Sequence, residues 1–289
     1  MRHAYAFIAP FYLLFLVFGA FPIAWSLILS FQEWDGLRPM KHVGLRNFLM
    51  LLRDQRFLDA VSNTAIYWVV DVVFILALAL LMAILLHTPR LSGRRFYRVV
   101  LFLPNVTATV AVGLVFTMVF DFNSGLANGI LQSLGIPRLG WLNSTGLSKV
   151  PVMVLNVWRA TPWYMLILLS GLQAINLELY QAATVDGAGP MQKLVFITIP
   201  SLATVLFFCF LTETIDSFRI FTEPYILTGG GPGSSSLSIV QYLYESGFTV
   251  FKLGYAAAIG YLLTIILLVI SAAQVIFLRR RGSAIGGAQ

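Results

Sequence analysis

Long apolar segments dominate this chain and leave few folds open to it. About 20 apolar residues are enough for a helix to cross the hydrocarbon core of a bilayer, and six segments reach this length with few charged residues or none: residues 4–32, 60–86, 99–120, 150–174, 201–222 and 253–278. Backbone groups in lipid must find hydrogen bonds within the chain, and a helix provides them. The sequence therefore predicts an all-α integral membrane protein with six transmembrane helices in one domain, residues 1–289.

The composition agrees with a membrane protein and argues against several other classes. Only 11% of the residues are charged, against about 25% in soluble domains. The net charge is +7, and its arginines cluster beside apolar segments, which indicates contact with an anionic leaflet rather than with nucleic acid. The single cysteine, Cys209, excludes an intramolecular disulfide, and the three scattered histidines have no ligand spacing, so we expect no metal site.

The distribution of basic residues predicts on which side of the membrane each loop and terminus lies. Clusters at 90–98 and 279–281 abut the ends of apolar segments, where the bias toward the cytoplasmic side counts most. The total Lys and Arg count is nearly balanced between the two sides. We expect both termini in the cytoplasm, which places residues 176–200 in a cytoplasmic loop.

That loop carries a helix–turn–helix pattern. Residues 177–185 are compatible with a helix, because Ala182 and Ala183 favour one. Gly187 or Gly189 can take the left-handed conformation that ends a helix, and Pro190 suits the first turn of the next. The simplest interpretation is a turn that only joins two spans.

The same loop resembles the "EAA" loop of binding-protein-dependent ABC importer permeases. The resemblance rests on Gln181-Ala182-Ala183, on Gly187 and on the closing "ITIP" of residues 197–200. It implies a coupling element that docks on a cytoplasmic ATPase. The residues that would take part are Gln181, Ala182, Ala183, Asp186, Gly187, Ala188 and Pro190. Gln181 stands where the family usually has Glu, which keeps the hydrogen-bonding capacity and loses the charge.

A second stretch, "YILTGGGPGSS" at residues 225–235, resembles a segment of the carbohydrate-uptake branch of these permeases. No Gly-Lys-Ser or Gly-Lys-Thr follows it, so it is no phosphate-binding P-loop. Physically it is expected to be a flexible outer turn. The resemblance covers nearly the whole chain and is closest to maltose-type and glycerol-phosphate-type permeases.

This resemblance implies a set of partners in a bacterial or archaeal cytoplasmic membrane. They are a second homologous permease, two ATPase subunits that bind ATP and magnesium, an extracytoplasmic binding protein and a sugar. The chain itself would hold no cofactor and would not be an enzyme.

Ionisable side chains within membrane spans are costly and usually face a cavity or a partner. The candidate substrate-pathway residues are Asn156, Trp158, Arg159, Glu213, Asp216 and Arg219. Asp216 and Arg219 lie three apart and can pair along one helix, and Arg159 can neutralise a carboxylate of the fifth span. A purely structural ion pair between helices is the alternative. Trp158 is favoured over Trp163, because aromatic residues near a helix end are often interface anchors.

Three other functions are weighed. A glycerol-phosphate-type permease would use Arg159 and Arg219 for its anionic substrate. An ion-coupled secondary transporter would use Asp71, Glu213 and Asp216, but such transporters usually show repeated halves. An integral-membrane enzyme would need a nucleophile–base set or a metal cluster, and the sequence offers neither.

Overall fold

The computed structural model describes residues 2–88 and 91–286, with side chains described between residues 8 and 277 of those ranges. The described structure is mostly helical, as predicted. Its helices are α1 Arg2–Phe15, α2 Phe21–Ser30, α3 Arg46–Leu51, α4 Gln55–His87, α5 Arg94–Val106, α6 Thr109–Val119, α7 Leu126–Ser133, α8 Lys149–Gln173, α9 Leu177–Val185, α10 Pro190–Lys193, α11 Ile199–Ser201, α12 Ala203–Phe218, α13 Thr222–Leu227, α14 Ile239–Tyr244 and α15 Leu253–Gly286. Short π-helical turns occupy Leu16–Ala20, Leu194–Thr198 and Glu245–Thr249, and strands β1 Gln32–Glu33 and β2 Lys41–His42 form an antiparallel pair.

Four helical segments of the described residues are long and apolar enough to cross a membrane: Ile8–Ser30, Gln55–His87, Lys149–Gln173 and Leu253–Phe277. Two bent pairs raise the number to six if each pair is one span, which agrees with the six predicted segments. The difference lies in the third and fifth segments, which the sequence predicts as continuous helices.

Each bend has a local cause. In the third segment, α5 and α6 meet at 91°. Pro104 lies in the last turn of α5 and cannot donate a backbone hydrogen bond, and Thr107 and Ala108 then take extended conformations. In the fifth, Pro190–Ser201 and Ala203–Leu227 meet at 69° around Leu202, whose backbone (φ −87°, ψ 0°) leaves the helical region.

The central frame of the molecule is the pair α4 and α8, with α12 packed against both. Ile75, Ala79 and Ala83 are fully buried at a spacing of four residues, which places them on one face of α4. They share a core cluster with residues 164–172 of α8 and with Leu202 and Cys209. Small residues on α4 allow a close approach of the helices, as is common in membranes. This frame fixes α8 and α12, which carry most of the predicted polar site.

The glycine-rich segment at 225–235 differs from the flexible turn expected from its composition. Asn63 of α4 donates hydrogen bonds from Nδ2 to the carbonyl oxygens of Ser234 (2.7 Å) and Leu237 (3.0 Å). The Tyr67 hydroxyl donates to the Ser236 carbonyl at 2.8 Å, and the Ile239 amide donates to Thr64 Oγ1 at 3.1 Å. The segment is therefore fixed on α4 by buried side chains.

Candidate functional site: a docking segment and a polar cavity

The predicted helix–turn–helix is present. We call residues 177–193 the docking segment, after the role that the family resemblance predicts for them. Gly187 ends α9 with a left-handed backbone (φ +77°). The Ala188 amide donates to the Ala183 carbonyl at 2.8 Å, and the Gly187 amide to the Thr184 carbonyl at 3.1 Å. These two bonds form a Schellman motif, a common way to end a helix at glycine. The helical pattern and the left-handed Gly187 are confirmed. Gly189 is instead extended (φ −72°) before Pro190.

Side chains tie the two short helices together. Lys193 Nζ donates to Thr184 Oγ1 at 2.8 Å, and the hydroxyls of Tyr180 and Thr198 share a hydrogen bond at 2.9 Å. The Gly189 amide donates to Gln192 Oε1 at 2.7 Å. The docking segment therefore has its own internal bracing, although it lies at the surface.

The turn presents an open face. Gln181, Ala182, Asp186 and Gly187 are exposed, and the Val185 side chain is 88% exposed. A Cβ built on Gly187 would meet nothing within 4 Å. Beside the turn lies a shallow cavity of about 310 Å³, lined by Ala183, Asp186, Gly187, Ala188, Gln192, Lys193, Phe196 and Ile197. Exposed apolar residues around a rigid turn are features of a protein docking surface.

A polar cavity of about 470 Å³ lies between α8, α12 and the start of α13. It brings together most of the predicted substrate-pathway residues, which come from two separate spans: Asn156, Arg159, Glu213, Asp216 and Arg219. Asn105 of α5 and Glu223 of α13 complete the polar lining. The cavity holds both hydrogen-bond donors and acceptors, so it suits a hydroxyl-rich ligand.

Arg159 has a different partner from the one expected. Its Nε and Nη2 contact Oε1 of Glu223 at 3.1 and 2.9 Å. Glu223 is only 3% exposed and lies in α13, beyond the predicted fifth span. Glu223 was not predicted as a site residue, because it follows the fifth apolar segment and only charges within the segments were considered. Its position directly after that segment is the feature that could have indicated it.

The two carboxylates of α12 also differ in their contacts. Asp216 accepts a hydrogen bond from the Tyr164 hydroxyl at 3.0 Å, and the described residues show no ion pair between it and Arg219. Glu213 is 1% exposed and accepts from the Ser217 hydroxyl at 2.9 Å. Its second oxygen is buried and has no partner within the described residues.

Asp71 lies behind the cavity wall. It is fully buried, and its Oδ2 accepts a hydrogen bond from Asn156 Nδ2 at 2.8 Å. This contact joins the centre of α4 to α8 and orients the amide of a cavity residue. No pattern in the sequence indicated Asn156 as the partner of Asp71.

Trp158 is not part of the cavity. It packs against Phe116 of α6 with ring centroids 5.6 Å apart, and it borders an apolar groove between α4, α5 and α8. Trp163 lines the polar cavity instead. The helical period explains why Trp163 rather than Trp158 lines the cavity, because Trp163 lies four residues after Arg159 and shares its face of α8.

A second cavity, of about 790 Å³, lies between the β-hairpin, α3 and the loop before α15. Asp54 borders it and accepts hydrogen bonds from the hydroxyls of Tyr242 and Tyr255. Burial opposes ionisation of Asp54, but these bonds and the amides of Phe57 and Arg56 outweigh it and lower the pKa below its usual value. The sequence alone did not indicate this site.

The fold and its two sites define a class of protein, the multi-pass membrane subunit of a transport system. The family of binding-protein-dependent transport system inner membrane components matches residues 75–283 of this chain. The chain belongs to this family, and it is accordingly a multi-pass protein of the inner membrane.

Individual relatives agree with the family. The arabinooligosaccharides transport system permease protein AraP of Bacillus subtilis is 36% identical over 92% of this chain and 85% of its own length. The lactose transport system permease protein LacF of Rhizobium radiobacter is 34% identical and covers 96% of this chain and 95% of its own. A chain of a bacterial ABC transporter that imports the acidic polysaccharide alginate has the same fold, with a TM-score of 0.85, 22% identity and 96% coverage of both chains.

Proposed function

We propose that this chain is the permease subunit of an ATP-driven importer that carries a sugar or sugar derivative. The observation that carries this proposal is the polar cavity between α8 and α12, which brings the carboxylates of Glu213 and Asp216 together with Asn156 and Arg219. Sugar hydroxyls both donate and accept hydrogen bonds. The names of the relatives, which refer to arabinooligosaccharides and lactose, support the same substrate class.

The remaining parts of the transporter are separate chains. An extracytoplasmic binding protein delivers the sugar, and a second, homologous permease pairs with this one. Each permease holds one ATPase subunit, which binds ATP and magnesium, so this chain needs no cofactor and carries out no hydrolysis. The docking segment seats on the ATPase through its turn, Gln181–Pro190, and both termini lie in the cytoplasm.

A neutral sugar fits the cavity better than a glycerol phosphate. An anionic substrate needs free cationic groups, and the two candidates are Arg159 and Arg219. Arg159 is held by Glu223, so Arg219 alone is available, facing the carboxylates of Glu213 and Asp216. The negative charges of these two carboxylates would repel a phosphate group.

Transport by the reconstituted complex tests this function. Uptake of arabinooligosaccharides, lactose and glycerol phosphate is measured in vesicles that hold the permease pair and its ATPases, with the binding protein outside. Glu213→Gln and Asp216→Asn should reduce uptake of a sugar while the ATPases still copurify. Normal sugar uptake by both variants would show that the cavity is not part of the substrate pathway. Uptake without ATP hydrolysis would favour an ion-coupled carrier.

A further inference from the structure

An apolar stripe lies on an outer helix that the sequence assigns to a water-exposed loop. Leu126 and Ile130 of α7 and Leu134, which directly follows the helix, lie at a spacing of four residues and are 68%, 63% and 68% exposed. Residues spaced by four lie on one face of a helix. The opposite face is occupied by the protein, because Asn128, two residues before Ile130, is 1% exposed.

Asn128 fixes the orientation of this helix. Its Nδ2 donates to the carbonyls of Phe122 and Leu139 at 3.1 and 3.0 Å. Its Oδ1 accepts from the Leu139 amide and from Trp141 Nε1, both at 3.0 Å. All hydrogen-bonding positions of the amide are thus used. The exposure of the apolar stripe is therefore built into the fold and does not result from a loosely attached helix.

The stripe continues a membrane-facing surface. In α6, which belongs to a candidate span, Val110, Leu114 and Met118 are 57%, 57% and 73% exposed at the same spacing of four. They lie on the side of α6 opposite to Val112 and Phe116, which pack on the protein core. The turn at 120–125 then leads into α7, so the exposed apolar residues pass from the span to the outer helix.

The position of the polar cavity favours lipid over a protein partner as the cover of the exposed apolar faces of α6 and α7. The cavity is lined from α5, α8, α12 and α13, and its lining includes no residue of α6 or α7. This step rests on the proposed function: a second permease that completes the cavity would approach from the side of these lining helices. The stripe of α7 also carries no charged residue, whereas charge is common at the rim of a transient protein interface.

We propose that α7 lies in the outer membrane–water interface, with Leu126, Ile130 and Leu134 buried among the lipid acyl chains. An amphipathic helix at the end of a span is suited to this boundary. The segment 121–149 is then an interfacial anchor rather than a free outer loop, and it holds Trp141, whose ring contacts Phe120 at a centroid distance of 5.7 Å, at a fixed depth.

Spin labels measure the environment of the stripe directly. A label is placed at Ile130→Cys in a Cys209→Ala background. Gln132→Cys, an exposed polar position at the end of α7, is the matched control, and Leu114→Cys in α6 is the lipid reference. The assembled permease pair with its ATPases is studied in lipid nanodiscs. Collision of each label with oxygen, which is soluble in lipid, is compared with collision with a water-soluble nickel chelate.

The Ile130 label should resemble the Leu114 label, with oxygen access several-fold higher relative to nickel than at Gln132. Nickel access equal to that of Gln132 would place α7 in water and overturn the proposal. Shielding of Ile130 from both reagents would show that a protein subunit covers the stripe, which also overturns it. Leu126→Cys serves as the second stripe variant if Ile130→Cys does not assemble.

Discussion

The segment at 225–237, called the outer segment after its predicted side of the membrane, and the docking segment at 177–193 look alike in sequence and are held very differently. Each is rich in glycine and small residues, and each follows or precedes a long apolar span. In the outer segment, buried side chains of α4 bind the backbone directly: Asn63 and Tyr67 bind carbonyls within it, and Thr64 binds the Ile239 amide just after it. In the docking segment, the hydrogen bonds run within the segment or to the adjacent Thr198, and its turn is exposed.

The difference shows two uses of glycine. Gly187 and Gly230 both have a left-handed backbone, at φ +77° and +83°. A Cβ on Gly230 would lie 2.8 Å from Gln241 Nε2 and 2.9 Å from Leu237 Cδ1, whereas one on Gly187 would meet nothing. In the outer segment glycine allows close packing, and in the docking segment it allows a turn that leaves its surface free. A position fixed to the core suits a scaffold, and a braced, exposed turn suits contact with a separate protein.

The largest expected effect is that of Gly230→Val. A left-handed non-glycine residue costs about 1–2 kcal/mol, and overpacking against Leu237 and Gln241 adds roughly 1–3 kcal/mol. The variant should lower the thermal stability of the detergent-solubilised permease and its yield. Gly229→Val is the matched control, because Gly229 is also left-handed (φ +60°) but a Cβ there is free of contacts. Equal losses in both variants would show that packing at Gly230 is unimportant.

The next effect is that of Asn63→Ala, which removes the donor to two outer carbonyls. Leaving Ser234 O and Leu237 O without this partner is expected to cost about 1–3 kcal/mol. Thermal unfolding and protease cleavage within 225–237 measure the loss. Asn123→Ala is the control, since the exposed Asn123 takes part in its turn through the backbone amide. A protected segment in the Asn63 variant would show that other contacts suffice.

The sequence predicted local geometry well and contacts between distant segments poorly. Gly187 and Pro190 revealed the docking segment, because helix ends and turns follow from a few adjacent residues. Nothing local pairs Arg159 with Glu223, or Asn63 with Ser234, since these contacts depend on how the spans pack. The finding that Trp163, rather than Trp158, lines the cavity lies between these cases. The sequence shows that Trp163 and Arg159 share one face of the helix, but it does not show which face lines the cavity.

The bend between α5 and α6 could be predicted only in part from the sequence. Pro104 marks a weak point in the third apolar segment, but a proline within a membrane helix is often tolerated. The 91° angle follows from the extended residues Thr107 and Ala108 after it. Composition alone does not distinguish a kinked span from a broken one.

Gly187→Val tests the exposed side of the comparison. Its strain of about 1–2 kcal/mol falls on a surface turn, so the spans should insert and the permease should remain folded. Attachment of the ATPase, or coupling of hydrolysis to transport, should fall, because the turn geometry changes; Ala183→Asp should act similarly by placing a charge in the contact. ATPase copurification and substrate-stimulated hydrolysis are the measurements. Gly189→Ala is the control, since Gly189 is not left-handed and a Cβ there meets only Gln192 Oε1 at 3.7 Å.

The smallest effect compares one deleted hydroxyl in each segment. Tyr67→Phe removes the buried donor to Ser236 O and should cost about 1 kcal/mol, the usual net value of a hydrogen bond. Thr184→Val removes the acceptor for Lys193 Nζ on an exposed helix, where water replaces the lost partner, and should change stability by no more than about 0.5 kcal/mol. Thermal unfolding of the two variants, followed side by side, measures the difference. A loss for Thr184→Val as large as that for Tyr67→Phe would mean that the docking segment is coupled to the core of the bundle, and the contrast between a fixed outer segment and an independently braced inner one would fail.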